Sequence, residues 1–407
     1  LSTPTKDATN RTDPAPTPPV ECAAAEPYIP ARKDEIIELL VTSGSLEKGD
    51  ATRFRKLCGL IEMILHQEFH TRQEHLKRLY APFDPDSDTR PLAGAREELI
   101  GEFLENLSEV LSAARYHPLA PDDLEYALSG ATYWGLDLQM NRDIFDRLMI
   151  YVRGEGARSR VQRDVSTWFR ARVVDLEIYQ RLVLVVKLRK DCMSHDGIDT
   201  DNLYLKMFRE IPQLDLEMLL PGTRPRIRLL DAGKIGGSSV TGIFSLGKMA
   251  LEYAILGKLK WLMVAFGTLA YAAQSFLGYR RTKAAYVYSM TQQLYYQNLD
   301  NNAGAFGRLI DEAEDEETKE AILAYFFLWR HGAEDWTPQR LAEEITKLVR
   351  QRTGDRFCFE ARQAIAKLER LGLLVENADR LEAIEPGKAL LKLSQRWGGY
   401  IADEYEC

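Results

Sequence analysis

His66 and His70 stand four residues apart in a helical run, so one helix face presents both imidazoles at a spacing that suits two ligands of one metal ion. Glu68 falls on another face and the order is not His-Glu-x-x-His, so a third ligand must come from elsewhere. The plain alternative, with His75 close by, is a polar helix face packed beside its neighbours. Asn298, Asp300, Asn301 and Asn302 crowd a short stretch flanked by Tyr295, Tyr296 and Phe306. Such a loop could bind a polar group or a partner loop, although amides and carboxylates of this kind also cap helix ends. Asp311, Glu312, Glu314, Asp315, Glu316, Glu317 and Glu320 form an acidic run, expected to be solvated rather than a cation site.

Two near-motifs carry little. Gly242 to Met249 approaches the phosphate-binding loop G-x-x-x-x-G-K-[ST], but Met249 offers no hydroxyl for magnesium and the run is apolar and helical. Ser245 and Lys248 have the spacing of a lysine-activated serine, without the Ser-Asp-Asn or Lys-Thr-Gly partners such a site needs. No cofactor is implied.

These groups depend on the elements that position them. The chain has 407 residues, enough for two or three domains, with 45% hydrophobic and 28% charged residues, an ordinary globular balance. Its 53 basic and 61 acidic residues give a net charge of −8, so no overall basic excess argues for nucleic acid. Five scattered cysteines without a Cys-x-x-Cys pair argue against a disulfide framework and for a reducing compartment. Residues 1–26, rich in Pro, Thr and Ala, are expected to be a disordered tail. A helical domain should cover 27–144, with apolar spacings of three and four through Phe54, Leu57, Ile61, Ile64, Leu65 and Phe69.

A small mixed α+β domain is expected over 145–232. Its strands are read at 148–152 and 181–187, a helix at 203–208, and strand, turn and strand across 215–219, Pro221-Gly222 and 226–230. Residues 279–333 read as helices around the Asn-rich loop. Residues 334–407 read as a winged-helix-like domain. Thr337-Pro338 opens one helix, a second spans 360–371 and stops at Gly372, two short strands flank Asn377-Ala378-Asp379, and a last helix holds 389–397.

Between these parts, 261–277 runs for 17 residues without a charge, roughly 25 Å of helix and the short end of a bilayer span. The preceding 240–256 is apolar except for a narrow stripe of Thr241, Ser245, Lys248 and Glu252. Together they suggest a transmembrane or membrane-associated helical hairpin at 236–278. Arg224, Arg226, Arg228, Arg280, Arg281 and Lys283 flank it, placing the remaining domains on the cytoplasmic or matrix side and the six cations at lipid head groups. The fold class expected is α+β, mostly α, with that hairpin as an integral anchor in a bacterial or organelle inner membrane.

Several runs are familiar together: YIPARKDEIIELL from Tyr28, LHQEFH from Leu65, YAPFDPD from Tyr80 and DLEMLLPGTRPRIRLLDAGKIG from Asp215. With FLGYRRTKAAY from Phe276, LYYQNLDNNAGAFGRLIDEAE from Leu294 and AILAYFFLWR from Ala321, the chain resembles the family called domain of unknown function 3754 across about 28–401. YYQNLDNNAG is the most specific run. The resemblance implies an integral membrane location and no particular reaction.

The sequence therefore points to a membrane-anchored protein of unknown activity with a structural or regulatory role. Its partners would be membrane lipids and a protein or a second copy, not nucleic acid. The alternative is a membrane-bound metal-dependent hydrolase using His66 and His70.

Overall fold

The computed structural model describes residues 28–88, 96–120, 136–139, 142–163, 171–190, 199–213, 216, 219–221, 224–227, 295–332, 335–354, 357–375 and 380–405. The chain divides into two units, one of residues 1–61 with 318–407 and one of residues 62–317.

The elements run α1 (Lys33–Ser43), α2 (Lys48–Tyr80), α3 (Arg96–Ala113), β1 (His117–Pro118), β2 (Leu136–Gln139), β3 (Phe145–Arg163), β4 (Ala171–Leu188), β5 (Leu203–Pro212), β6 (Arg224–Ile227) and β7 (Asn298–Asn301), followed by four helices. These are α4 (Asn302–Arg330), α5 (Pro338–Thr353), α6 (Ala361–Arg370) and α7 (Pro386–Tyr405). Helices α2 and α4 each contribute one part to each unit.

In the unit of 62–317 the strands form an antiparallel sheet in the order β1-β3-β4-β5-β7, with β2 and β6 as a separate pair. The middle of β4 explains its sequence. Leu182, Val183, Leu184, Val185 and Val186 are all buried, because alternate side chains enter cores on both faces of the sheet. Val183 lies opposite Tyr151 and Met207, and this face packs on Phe103 and Leu107 of α3 and Phe306 and Leu309 of α4. Leu182, Leu184 and Val186 join Ile150, Val152, Phe208 and Leu219 on the other face.

In the other unit the start of α2 and the end of α4 meet through aromatic rings. Phe54 lies 5.3 Å from Phe326 and 6.0 Å from Trp329 between centroids. Gly44 ends α1 beneath Phe326, where a Cβ would come within 2.6 Å of the ring.

Three expectations are corrected. Residues 203–208 are strand, not helix. Leu203, Leu205 and Met207 alternate into the helix-covered core, and β5 hydrogen-bonds to β4 and β7 on its two sides. Arg226 and Ile227 belong to β6, which pairs with β2, Ile227 lying opposite Leu136, while 228–230 lie outside the described residues. The Asn-rich stretch is not a loop between helices but strand β7 running directly into α4. Cys58 is buried outside any disulfide, and Cys358 is disulfide-bonded.

The membrane hairpin is corrected as well. Residues 236–278 lie outside the described residues, and among the described residues no helix is long and apolar enough to cross a membrane. The longest, α2 and α4, carry charged residues along their length, and taking these into hydrocarbon would cost far more than their apolar faces return. The fold class is therefore α+β, an antiparallel sheet with packed helices, and the integral membrane location expected from the sequence is withdrawn.

Candidate functional site

The C-terminal helices assemble a surface from local signals. The Thr337 hydroxyl accepts from the Arg340 N–H at 3.2 Å, capping α5, with Pro338 in its first turn. Leu341, Ile345 and Val349 bury one stripe of this helix, and Gly354 ends it at φ +75°. The Phe359 N–H donates to the Thr346 hydroxyl at 2.9 Å, which sets the entry to α6.

Helix α6 buries Ala361, Ala364, Ile365 and Leu368 and exposes Arg362, Gln363, Ala366 and Glu369. Lys367 is buried. Its ammonium meets the Glu320 carboxylate of α4 at 2.5 Å, with both side chains 10% exposed or less. After α6, Gly372 turns the chain at φ +68°, in space a side chain would contest with Lys392. Leu374 then makes an isolated bridge to Ala383, and the Val375 N–H donates to the Glu382 carbonyl at 2.9 Å, so these two segments meet in a short wing. The Tyr325 hydroxyl donates to the Ile384 carbonyl at 2.7 Å and ties the wing to α4. Between α6 and the wing lies a recess of about 330 Å³ lined by Glu369, Leu374, Val375, Arg380 and Glu382. Val375 leaves 39% of its surface exposed.

The residues singled out by sequence fall elsewhere. His66 and His70 do share one face of α2, with ring centroids 6.4 Å apart. The His66 Nδ1 lies 3.0 Å from a carboxylate oxygen of Glu314. Among the described residues, no group of three His, Cys, Asp or Glu side chains is placed to hold a metal ion. Arg224 and Arg226 lie on β6, paired in backbone register with Gln139 and Asp137. Arg228, Arg280, Arg281 and Lys283 lie outside the described residues.

Asn298, Asp300 and Asn301 lie on β7, and Asn302 opens α4. Asn302 is buried at φ +49°, a conformation Asn tolerates better than most residues. Its Oδ1 accepts from the Leu205 N–H at 3.2 Å and lies 3.2 Å from the Tyr80 hydroxyl, which donates to the Leu203 carbonyl at 2.7 Å. Its amide nitrogen donates to the Asp86 carboxylate at 2.6 Å. Burial, with Asp84 and Asp86 nearby, pushes the Tyr80 phenol well above its ordinary range and keeps it neutral. The Asp300 carboxylate occupies the space a Cβ on Gly304 would need. This cluster joins β5, β7, α4 and the end of α2.

A second polar cluster escaped the sequence reading. Arg153 on β3 is buried, with one nitrogen 2.9 Å from Glu312, another donating to the Ala114 carbonyl at 3.0 Å, and its guanidinium 4.7 Å over the Tyr116 ring. The Tyr116 hydroxyl donates to the same Glu312 at 2.9 Å, and burial raises its pKa far above the usual phenol range. Arg153 lies opposite Arg181 on β4, and Arg181 lies opposite Arg209 on β5. No spacing along the chain reveals this row, because it exists only through strand register. Reading 203–208 as helix removed β5 from it.

Over this sheet the chain matches one family. Residues 145–304 match the model for a protein of unknown function, DUF3754. The match is narrower than the 28–401 suggested by the familiar runs. It holds β3, β4, β5 and β7, the arginine row, and the Asn302 joint up to Gly304, but not the wing. The run YYQNLDNNAG ends within it, at the strand-to-helix joint where Asn302 is buried and Asn301 is exposed. No solved structure matches the chain.

Proposed function

We propose that this protein is a structural or regulatory interaction protein that meets a protein partner through α6 and the wing. The observation that carries the reading is Lys367. In a helix that would otherwise present Arg362, Lys367 and Arg370 as a basic face, the middle charge is turned inward onto Glu320. What remains outside is mixed in sign and includes Gln363, Ala366 and Glu369, beside a half-exposed Val375 and the small recess. Nucleic-acid surfaces are strongly basic, whereas protein partners accept mixed polar rims around an apolar contact.

The test is site-specific photo-crosslinking in the full chain. A photoreactive residue at Gln363 or Val375 is expected to give the same discrete adduct in native cells, and one at the exposed Lys347 of α5 none. The added substitution Glu369→Arg should deplete that adduct. Absence of any adduct from both positions, or an equal pattern from Lys347, overturns the reading.

A further inference from the structure

Like charges placed directly opposite one another on neighbouring strands oppose sheet formation. Three arginines nevertheless stand in one row: Arg153 opposite Arg181, and Arg181 opposite Arg209. Directly opposite residues share a face and hold their Cβ atoms about 5 Å apart. The adjoining row, Tyr151, Val183 and Met207, faces the core covered by α3 and α4, so the arginines extend that face. The Arg153 guanidinium lies 4.7 Å over the Tyr116 ring on this face, and register places Arg181 beside it.

The carboxylates available do not neutralise the row. Glu312 is shared among Arg153 at 2.9 Å, the Tyr116 hydroxyl at 2.9 Å and Arg308 at 3.5 Å. Asp300 lies 3.9 Å from Arg308. Among the described residues, neither Arg181 nor Arg209 has a carboxylate partner. Arg181 donates to its neighbour's carbonyl, at Gln180, at 3.3 Å, and its buried Nε has no acceptor. Arg209 directs Nε and one terminal nitrogen at the single Tyr296 carbonyl, both at 3.3 Å. Exposure rises along the row from buried Arg153 through half-buried Arg181 to exposed Arg209, so its open end reaches solvent.

We propose that Arg181 and Arg209 form a binding site for the phosphate group of a small ligand, with Arg153 held behind them by Glu312 and Tyr116. A guanidinium offers paired N–H donors in a fixed plane that matches two oxygens of a phosphate. Two guanidinium groups side by side without carboxylates supply the charge of a phosphate dianion. An incoming phosphate would satisfy the stranded Arg181 Nε and remove the repulsion between the strands.

The experiment is calorimetric titration of the full chain with inorganic phosphate and with pyrophosphate, at ionic strength held constant by sodium chloride. Saturable binding of at least one of them is expected. Arg181→Gln and Arg209→Gln should each weaken it roughly tenfold or more, while Arg53→Gln, at an exposed helix position, leaves it unchanged. Arg209 is exposed, so its variant carries the test if Arg181→Gln loses its folded circular-dichroism spectrum. No saturable binding of either anion, or binding unaltered in Arg209→Gln, overturns the proposal.

Discussion

Asn302 shows how one side chain can hold several elements at once. Its carboxamide serves the Leu205 N–H of β5 and the Asp86 carboxylate beyond α2, while its own backbone takes φ +49° between β7 and α4. Alanine there would strand the buried Leu205 N–H and keep an unfavourable backbone angle. Asn302→Ala is therefore expected to lower stability by about 2–3 kcal/mol, seen as a lower urea midpoint with an unchanged slope. Asn302→Gly relieves the backbone but not the lost bonds, and should recover only part of that. If Asn302→Ala is as stable as the parent, the carboxamide is not holding the joint. The sequence marked this residue for its chemistry, either in a binding loop or as a cap of a helix end. In the structure its carboxamide is taken up by neighbouring elements.

At the scale of elements, α6 depends on the Lys367–Glu320 pair. Both groups have left water, so each needs the other. Lys367→Ala should cost about 3–5 kcal/mol, because it leaves Glu320 charged and buried. Joint replacement, Lys367→Met with Glu320→Leu, should regain most of it in the same urea titration. A single variant as stable as the double one would show that the pair carries no such weight. A smaller effect belongs to the cap of α5: Thr337→Ala should lose about 1 kcal/mol and Thr337→Ser very little.

Element boundaries were legible where signals are local. Thr337-Pro338 opens α5, and Gly372 closes α6, because caps and turns are fixed by a few adjacent residues. The acidic run of α4 was not legible. Glu316, Glu317, Lys319 and Glu320 are all buried, and Lys319 donates to the Ile29 carbonyl at 3.0 Å. Charge predicts exposure only when no distant partner exists, and here the partners lie far away in sequence. β5 failed for a related reason: six residues, 203–208, carry five apolar side chains, a pattern that suits a helix turn and a strand buried on both faces alike.

For the whole molecule, the net charge of −8 and the inward Lys367 lead to a common expectation. The full chain should not retain labelled duplex DNA in fluorescence anisotropy, even at low salt, where phosphate attraction is strongest. Binding that falls steeply with added salt would mean that a basic face exists after all and would displace the protein-partner reading.

Composition, caps and apolar periodicity by themselves determined an α+β chain with long amphipathic helices and a C-terminal helix–wing arrangement. The specific runs, YYQNLDNNAG above all, carried the family resemblance that the match over 145–304 supports. These features follow from interactions between residues close in sequence. The tertiary structure decided which polar residues face inward, which strands are neighbours, and that none of the described helices is fit to cross a membrane. It also set Arg153, Arg181 and Arg209 side by side. Strand register couples positions about 28 residues apart, and no local pattern of charge or hydrophobicity encodes which of them will meet.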